Sequence, residues 1–348
     1  MNLNKIICLC LVFLFFNINR SHAQISVINS IQDTNAVSYG QVKLEDGKEF
    51  FIVSNKEPDM QSIELFALPD TKHRKNKIAF PFLPMFILPF QATDLVIGAN
   101  ASGVWYASKL TSSIKASNQI QLRDFESVSS AITTVTGYMI GGISQSGKPI
   151  VIELNKNLVE TQRSRFQDGL TGEAVIVGRS KTEAIVVLNL ESGKSSIAWL
   201  SNGLVVNRLV GLKGGATSAV SSEKGIAVTY SLGKNVVFEY LSEIGESKWS
   251  KVLFQRDGPS TLKFQIVPIK TGFGIIGANK SALVFVKMDL SGTEFNIFID
   301  KSGLLPPIEN SYSVIANATG VHVFGVTHKK DVSKSPAPIR FHALIKID

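Results

Sequence analysis

At 348 residues with 44% hydrophobic content, the chain is long enough to bury roughly three quarters of its extended surface within one large domain. Its two cysteines, Cys8 and Cys10, both fall in the first 23 residues, which excludes a disulfide framework, a thiolate metal site and a cysteine nucleophile from everything downstream. The formal charge of +8 excludes a strongly acidic, self-solvating chain and fits anionic surroundings of unspecified kind.

The first element is an export signal. Lys5 is followed by an unbroken apolar run at residues 6–16, and Ser21-His22-Ala23 forms a small-x-small cleavage site before Gln24. Eleven apolar residues are too few to cross about 30 Å of hydrocarbon as a helix, so no transmembrane segment is expected after cleavage. The expected organisation is a signal peptide at residues 1–23 and a single domain at 24–348, in a secreted or periplasmic location. Loss of Lys5 and Arg20 with the signal lowers the charge from +8 to +6.

Beyond residue 24 no apolar pattern holds at helical spacing. Short runs rich in Val, Ile, Phe and Thr recur instead, broken by Gly, Asn, Ser and Lys, and predict an almost all-strand chain. The segment at 25–31 reads as an isolated strand. Units then start near residues 36, 85, 130, 172, 215, 262 and 310, a spacing of about 42 to 49 residues that matches four-stranded propeller blades. Residues 78–90 are apolar throughout and interrupted by Pro81, Pro84 and Pro89, which exclude a membrane helix and a central strand. They are expected to run from the outer strand of the first unit into the first strand of the second; a protruding apolar contact is the other reading.

The third unit is the clearest, with strands expected at 131–135, 138–143, 149–154 and 158–166. Its second strand follows Thr136-Gly137 and ends at Gly141-Gly142; Thr271-Gly272 to Gly277 and Thr319-Gly320 to Gly325 repeat that pattern. Strands two and three are apolar almost without alternation, as befits sheets covered on both faces. The seventh unit offers strands at 312–316, 321–326 and 339–345 but no fourth. The segment at 25–31 is expected to supply it and close the ring, removing an exposed edge. The expected fold is therefore all-β: a seven-bladed β-propeller of four-stranded antiparallel blades, ring closed by the N-terminal strand.

The Thr-Gly turn, the apolar strand ending in Gly, the polar turn and the strand closing on Lys287-Met288-Asp289-Leu290-Ser291-Gly292 together resemble the repeats of secreted bacterial β-propeller proteins. The resemblance spans most of the chain after residue 23 and implies architecture, not activity. There is no Trp-Asp dipeptide of WD repeats, no Asp box and no repeated tryptophan docking pattern; Gly141-Gly142 is similar to a kelch diglycine without its later Tyr and Trp.

Catalytic patterns are weak. Ser144 lies in a near match to Gly-x-Ser-x-Gly but between two strands, Ser112 and Ser221 head Ser-x-x-Lys patterns without companion motifs, and Gly193-Lys194-Ser195 lacks the upstream glycine of a phosphate loop. His73, His322, His328 and His342 show no zinc-ligand spacing, and His322 and His342 are expected to be core histidines. No metal or cofactor is expected. Carboxylate pairs for glycoside hydrolysis need only spatial proximity and stay open.

Polar character concentrates in the turns between second and third strands, all of which emerge on one face of a propeller. Lys56, Lys148, Lys194, Lys234, Lys280, Lys329 and Lys330 fall in or beside six of these seven turns, while Glu57, Asp59, Glu191 and Asp331 offset part of their field. The expected partner is a protein, or an acidic polysaccharide or other anionic surface. Export and the lack of interleaved aromatic and basic residues disfavour nucleic acid. The basic run at residues 72–77 reads as a solvated turn between third and fourth strands. Asn100, Asn279 and Asn317 head triplets that a eukaryotic secretory pathway would glycosylate.

The functional expectation is a secreted, non-catalytic interaction scaffold. The alternative is an enzyme using the axial funnel, such as a polysaccharide hydrolase or lyase, and a small-ligand carrier comes third. N-terminal sequencing of the exported protein is expected to begin at Gln24; a product that starts at Met1 overturns the signal reading.

Overall fold

The computed structural model describes residues 24–32, 36–39, 43–45, 48–56, 61–67, 74–90, 93–111, 116–164, 166, 169–179, 183–201, 203–222, 224–255, 264–279, 282–293, 295–299, 312–317, 320–328 and 338–346. The expected signal at residues 1–23 lies outside them. Among the described residues the chain forms strands and no helix. The first strand is β1 (Gln24–Gln32). Sheet I holds β2 (Ala36–Tyr39), β3 (Lys43–Glu45), β4 (Lys48–Lys56), β5 (Gln61–Ala67) and β6 (Arg74–Phe80). Sheet II holds β7 (Leu83–Phe90), β8 (Thr93–Ala99), β9 (Trp105–Thr111) and β10 (Ala116–Gln121). Sheet III holds β11 (Phe125–Thr133), β12 (Gly137–Ser144), β13 (Pro149–Asn155) and β14 (Glu160–Arg163). Sheet IV holds β15 (Gly172–Arg179), β16 (Ala184–Leu190), β17 (Ser195–Ser201) and β18 (Val205–Gly211). Sheet V holds β19 (Gly215–Ser222), β20 (Gly225–Leu232), β21 (Asn235–Leu241) and β22 (Ser247–Gln255). Sheet VI holds β23 (Gln265–Ile269), β24 (Gly272–Asn279), β25 (Ala282–Asp289) and β26 (Phe295–Ile299). Sheet VII holds β27 (Tyr312–Asn317), β28 (Gly320–His328) and β29 (Pro338–Lys346).

Sheets II to VI are antiparallel with strands in chain order. Sheet I follows β2-β4-β5-β6, with β3 folded onto β4 as an additional hairpin that the sequence reading lacks. In sheet VII the order is β1-β29-β28-β27, so β1 takes the outer place, with Gln24 opposite Lys346 and Gln32 opposite Ile339.

Neighbouring sheets share cores because successive side chains of a strand point to opposite faces. Tyr138, Ile140, Ile150 and Ile152 of sheet III pack with Leu95, Ile97 and Trp105 of sheet II, whereas Met139 and Val151 turn the other way onto Ala174, Ile176 and Val186 of sheet IV. The same division recurs between sheets IV and V, V and VI, and VI and VII. Contacts run on from sheet VII to sheet I through β28 and β2, and from sheet I to sheet II through β4 and β7. Each aliphatic side chain so buried contributes about 1.5–3 kcal/mol.

The Thr-Gly repeat has a steric cause at the start of the second strands that carry it. A Cβ on Gly272 would stand 2.0 Å from the Met288 carbonyl oxygen, and one on Gly320 would stand 2.4 Å from that of Ile345. The apolar segment at 78–90 forms the end of β6 and then β7, with Pro84 and Pro89 on a strand at the sheet's edge, where a missing N–H is tolerated.

Three boundaries differ from expectation. The first strand of the third unit begins at Phe125, six residues early, and Val135 stands almost fully exposed beyond its end. Ser127, Ser129 and Ser130 dilute its apolar signal, yet Ser130 Oγ accepts the Ile176 N–H at 2.7 Å and ties β11 to β15. The fourth strand spans only Glu160–Arg163, because Leu158 belongs to the preceding turn. Most of the basic run is strand and not turn: residues 74–77 lie within β6, paired to β5, while residues 72 and 73 lie outside the described ones.

The turns between third and fourth strands fill the space over the preceding sheet in two ways. Sheets III and IV place Leu158 (φ 62°) and Leu204 (φ 54°) in the left-handed region, and both side chains are buried in the core shared with the sheet before. In sheets V and VI the corresponding turns carry Gly245 and Gly292, because a tryptophan of the preceding sheet already occupies the space. A Cβ on Gly245 would lie 2.6 Å from Trp199, and one on Gly292 would lie 2.8 Å from Trp249. Gly245→Leu is therefore expected to cost about 2–3 kcal/mol by overpacking. In urea unfolding, Trp199→Ala should offset part of that loss, and additive effects of the two substitutions would refute the size matching.

Candidate interaction face

The turns between second and third strands repeat one hydrogen-bonded design. In sheet III the Ser144 N–H donates to the Lys148 carbonyl and the Gly147 N–H to the Ser144 carbonyl, both at 2.8 Å. In sheet IV the Leu190 N–H donates to the Lys194 carbonyl and the Gly193 N–H to the Leu190 carbonyl, both at 2.9 Å. Gly147 (φ 75°) and Gly193 (φ 76°) supply the left-handed residue that such three-residue hairpins need. The two turns share Ser-Gly-Lys. Sheet V makes the connection in two residues, Gly233-Lys234, with Gly233 at φ 58°.

Lys148, Lys194 and Lys234 thus occupy one equivalent position, the residue immediately before the third strand, and all three are exposed. In sheet II that position belongs to Val104. Lys56 ends β4 in sheet I, while Lys280, Lys329 and Lys330 lie outside the described residues. Each turn also abuts the next sheet. The Gly172 N–H of β15 donates to Gly147 O at 2.9 Å, and a Cβ on Gly215 of β19 would lie 3.1 Å from Gly193 O.

Below these turns runs a chain of polar groups that the sequence reading missed. Ser129 Oγ donates to Glu173 Oε2 at 2.8 Å, and Asn189 Nδ2 donates to Glu173 Oε1 at 2.9 Å. Ser195 Oγ donates to Asn189 Oδ1 at 2.6 Å and accepts the Ala216 N–H at 2.8 Å. The chain crosses sheets III, IV and V. Its members are scattered over 88 positions, from 129 to 216, so no local motif announces them.

The candidate nucleophiles are committed to backbone. Ser144 Oγ accepts the Lys148 N–H at 3.1 Å and lies 3.0 Å from Ser146 Oγ, and Ser221 Oγ donates to Val177 O at 3.3 Å. Ser112 and the Asn279 and Asn317 triplets fall wholly or partly outside the described residues, whereas Asn100 Oδ1 caps its own turn by accepting the Ser102 and Val104 N–H groups. His322 is buried on β28, and the His342 side chain lies outside the described ones. Among the described residues no three His, Cys, Asp or Glu side chains are grouped to hold a metal ion, and no helix is long and apolar enough to cross a membrane.

No family model matches the chain, and no curated protein matches it. Solved structures do. A structure of U3-55K aligns over 93% of this chain and 98% of its own with a TM-score of 0.62 at 7% identity. The WD40 repeats of RRP9 align over 94% and 100% with a TM-score of 0.64 at 9% identity. At such identities the likeness concerns the fold: the chain is an all-β repeat protein of the β-propeller kind.

One buried pair makes the fold sensitive to alkali. Burial, and then the Glu239 carboxylate that accepts its hydrogen bond, hold the Tyr230 phenol above its ordinary value of 10. The folded state keeps this proton more tightly than the unfolded chain, so the contribution is intact below about pH 10 and is lost as pH rises past it. Tyr230→Phe is expected to flatten the fall in Tm above about pH 10, and equal slopes for both proteins would refute the assignment.

Proposed function

We propose that the chain is an exported, non-catalytic scaffold that closes as a seven-bladed propeller and binds an acidic segment of a partner protein across its lysine-bearing face. In this reading residues 1–23 direct secretion or delivery to the periplasm, and residues 24–348 form one domain. Support for closure comes from the seven sheets, from β1 in the outer place of sheet VII and from the contacts between β28 and β2. A closed ring places every turn between second and third strands at one end. Lys56, Lys280, Lys329 and Lys330 then join Lys148, Lys194 and Lys234.

The observation that carries the reading is the repeated turn. Two sheets with different strand sequences keep Ser-Gly-Lys in the same hydrogen-bonded geometry, and a third keeps lysine in the same place through a different turn. The serines that resembled nucleophiles bond to backbone instead, which favours a scaffold over an axial enzyme. The likeness to WD40 repeat propellers favours a protein partner over an acidic polysaccharide.

The test is calorimetric titration with polyglutamate. The wild-type protein is expected to bind with an affinity that falls as salt rises, and the K148E/K194E/K234E variant is expected to bind at least about tenfold more weakly. Binding that survives both the charge reversal and high salt overturns the lysine face. Binding of an acidic polysaccharide without binding of polyglutamate replaces the protein partner by a polymer.

A further inference from the structure

We infer that Glu173 is the positioning residue that makes Lys148, Lys194 and Lys234 act as one site for an extended acidic segment lying across sheets III, IV and V; the inference rests on the lysine-face reading. Glu173 is the second residue of β15, beside Gly172, whose N–H holds the turn that carries Lys148. Its carboxylate accepts from Asn189, which stands just before the sheet IV turn, and Asn189 accepts from Ser195, which follows Lys194 directly. Ser195 in turn holds the Ala216 N–H, and Ala216 pairs with Tyr230 on the strand that leads into Gly233-Lys234. Ser129 completes the chain from sheet III. One carboxylate therefore ties the sheet IV hairpin to β11 of sheet III and, through Asn189 and Ser195, to β19 of sheet V, the strands that flank the other two lysine-bearing hairpins.

The charge of Glu173 has the wrong sign for a polyanion site. A carboxylate beneath three lysines weakens the positive field that they project, so an electrostatic role and a positioning role make opposite predictions. The spacing also sets the ligand. Sheets packed face to face lie roughly 10 Å apart, so the three turns extend over roughly 20 Å, or about six residues of extended chain. A segment of four residues reaches two turns and one of eight reaches three.

The experiment compares tetraglutamate with octaglutamate on the full chain and its variants. The wild type is expected to bind octaglutamate at least about tenfold more tightly than tetraglutamate, as an effective-concentration gain requires. Glu173→Gln, which removes the charge and keeps hydrogen-bonding capacity, should bind as tightly or more tightly and retain that preference. Glu173→Ala should lose the preference, although it removes the same charge. Ser195→Ala, which severs the chain at another link, should lose it too, so a poorly folded Glu173→Ala protein leaves the test in force. If Glu173→Ala and Ser195→Ala keep the length preference while K148E/K194E/K234E loses binding, the positioning role is overturned and the lysine face stands. If the wild type binds neither oligomer, the face reading fails and this inference with it.

Discussion

The second and third strands of sheets III to VI each serve two cores at once, and the architecture depends on that constraint. Met139 and Tyr138 are neighbours in sequence, yet one helps to bury sheet IV and the other sheet II. A sheet placed this way has no face to give to water, so it is stable only between two others, and the arrangement must return on itself or leave an apolar face bare. Sheet VII meets sheet I through β28 and β2. Burial on both faces also explains why, among the described residues, few apolar side chains on second and third strands are exposed.

The same constraint decides where polar chemistry can sit. Strand faces are largely committed to packing, which leaves turns and strand ends as the readiest places for charges and hydroxyls. Glu173, Asn189 and Ser195 occupy such ends, and their hydrogen bonds join sheets whose backbones share no ladder. Apolar packing tolerates sliding of one sheet over another, whereas a bond of 2.6–2.9 Å between named atoms does not. Serine is suited to this task because one hydroxyl can donate and accept together, as Ser195 does.

Much of the fold was legible because its signals are local. The Thr-Gly dipeptides mark places where a strand begins against a carbonyl, and Ser-Gly-Lys marks a turn with a left-handed glycine; both are written in two or three adjacent residues. The starts of β15 and β19 coincide with the sequence reading, which locates them from the period of the repeat. First strands were harder to place. In β11 the serines that bond to the next sheet carry no apolar periodicity, so the strand looked shorter than it is. The Glu173 chain was invisible because its members meet only after three sheets have stacked. The filling of one space by Leu158 or by Trp199 is hidden for a similar cause, since two residue types in different elements solve the same packing problem.

The placement of β1 bears on timing. Its nine residues are the first described and pair with β29 near the far end of the chain. A ribosome that has made sheets I to VI has therefore produced the strand that completes sheet VII long before the strand that receives it. Final assembly must wait until β29 has been made, and until then β1 has no strand to zip against.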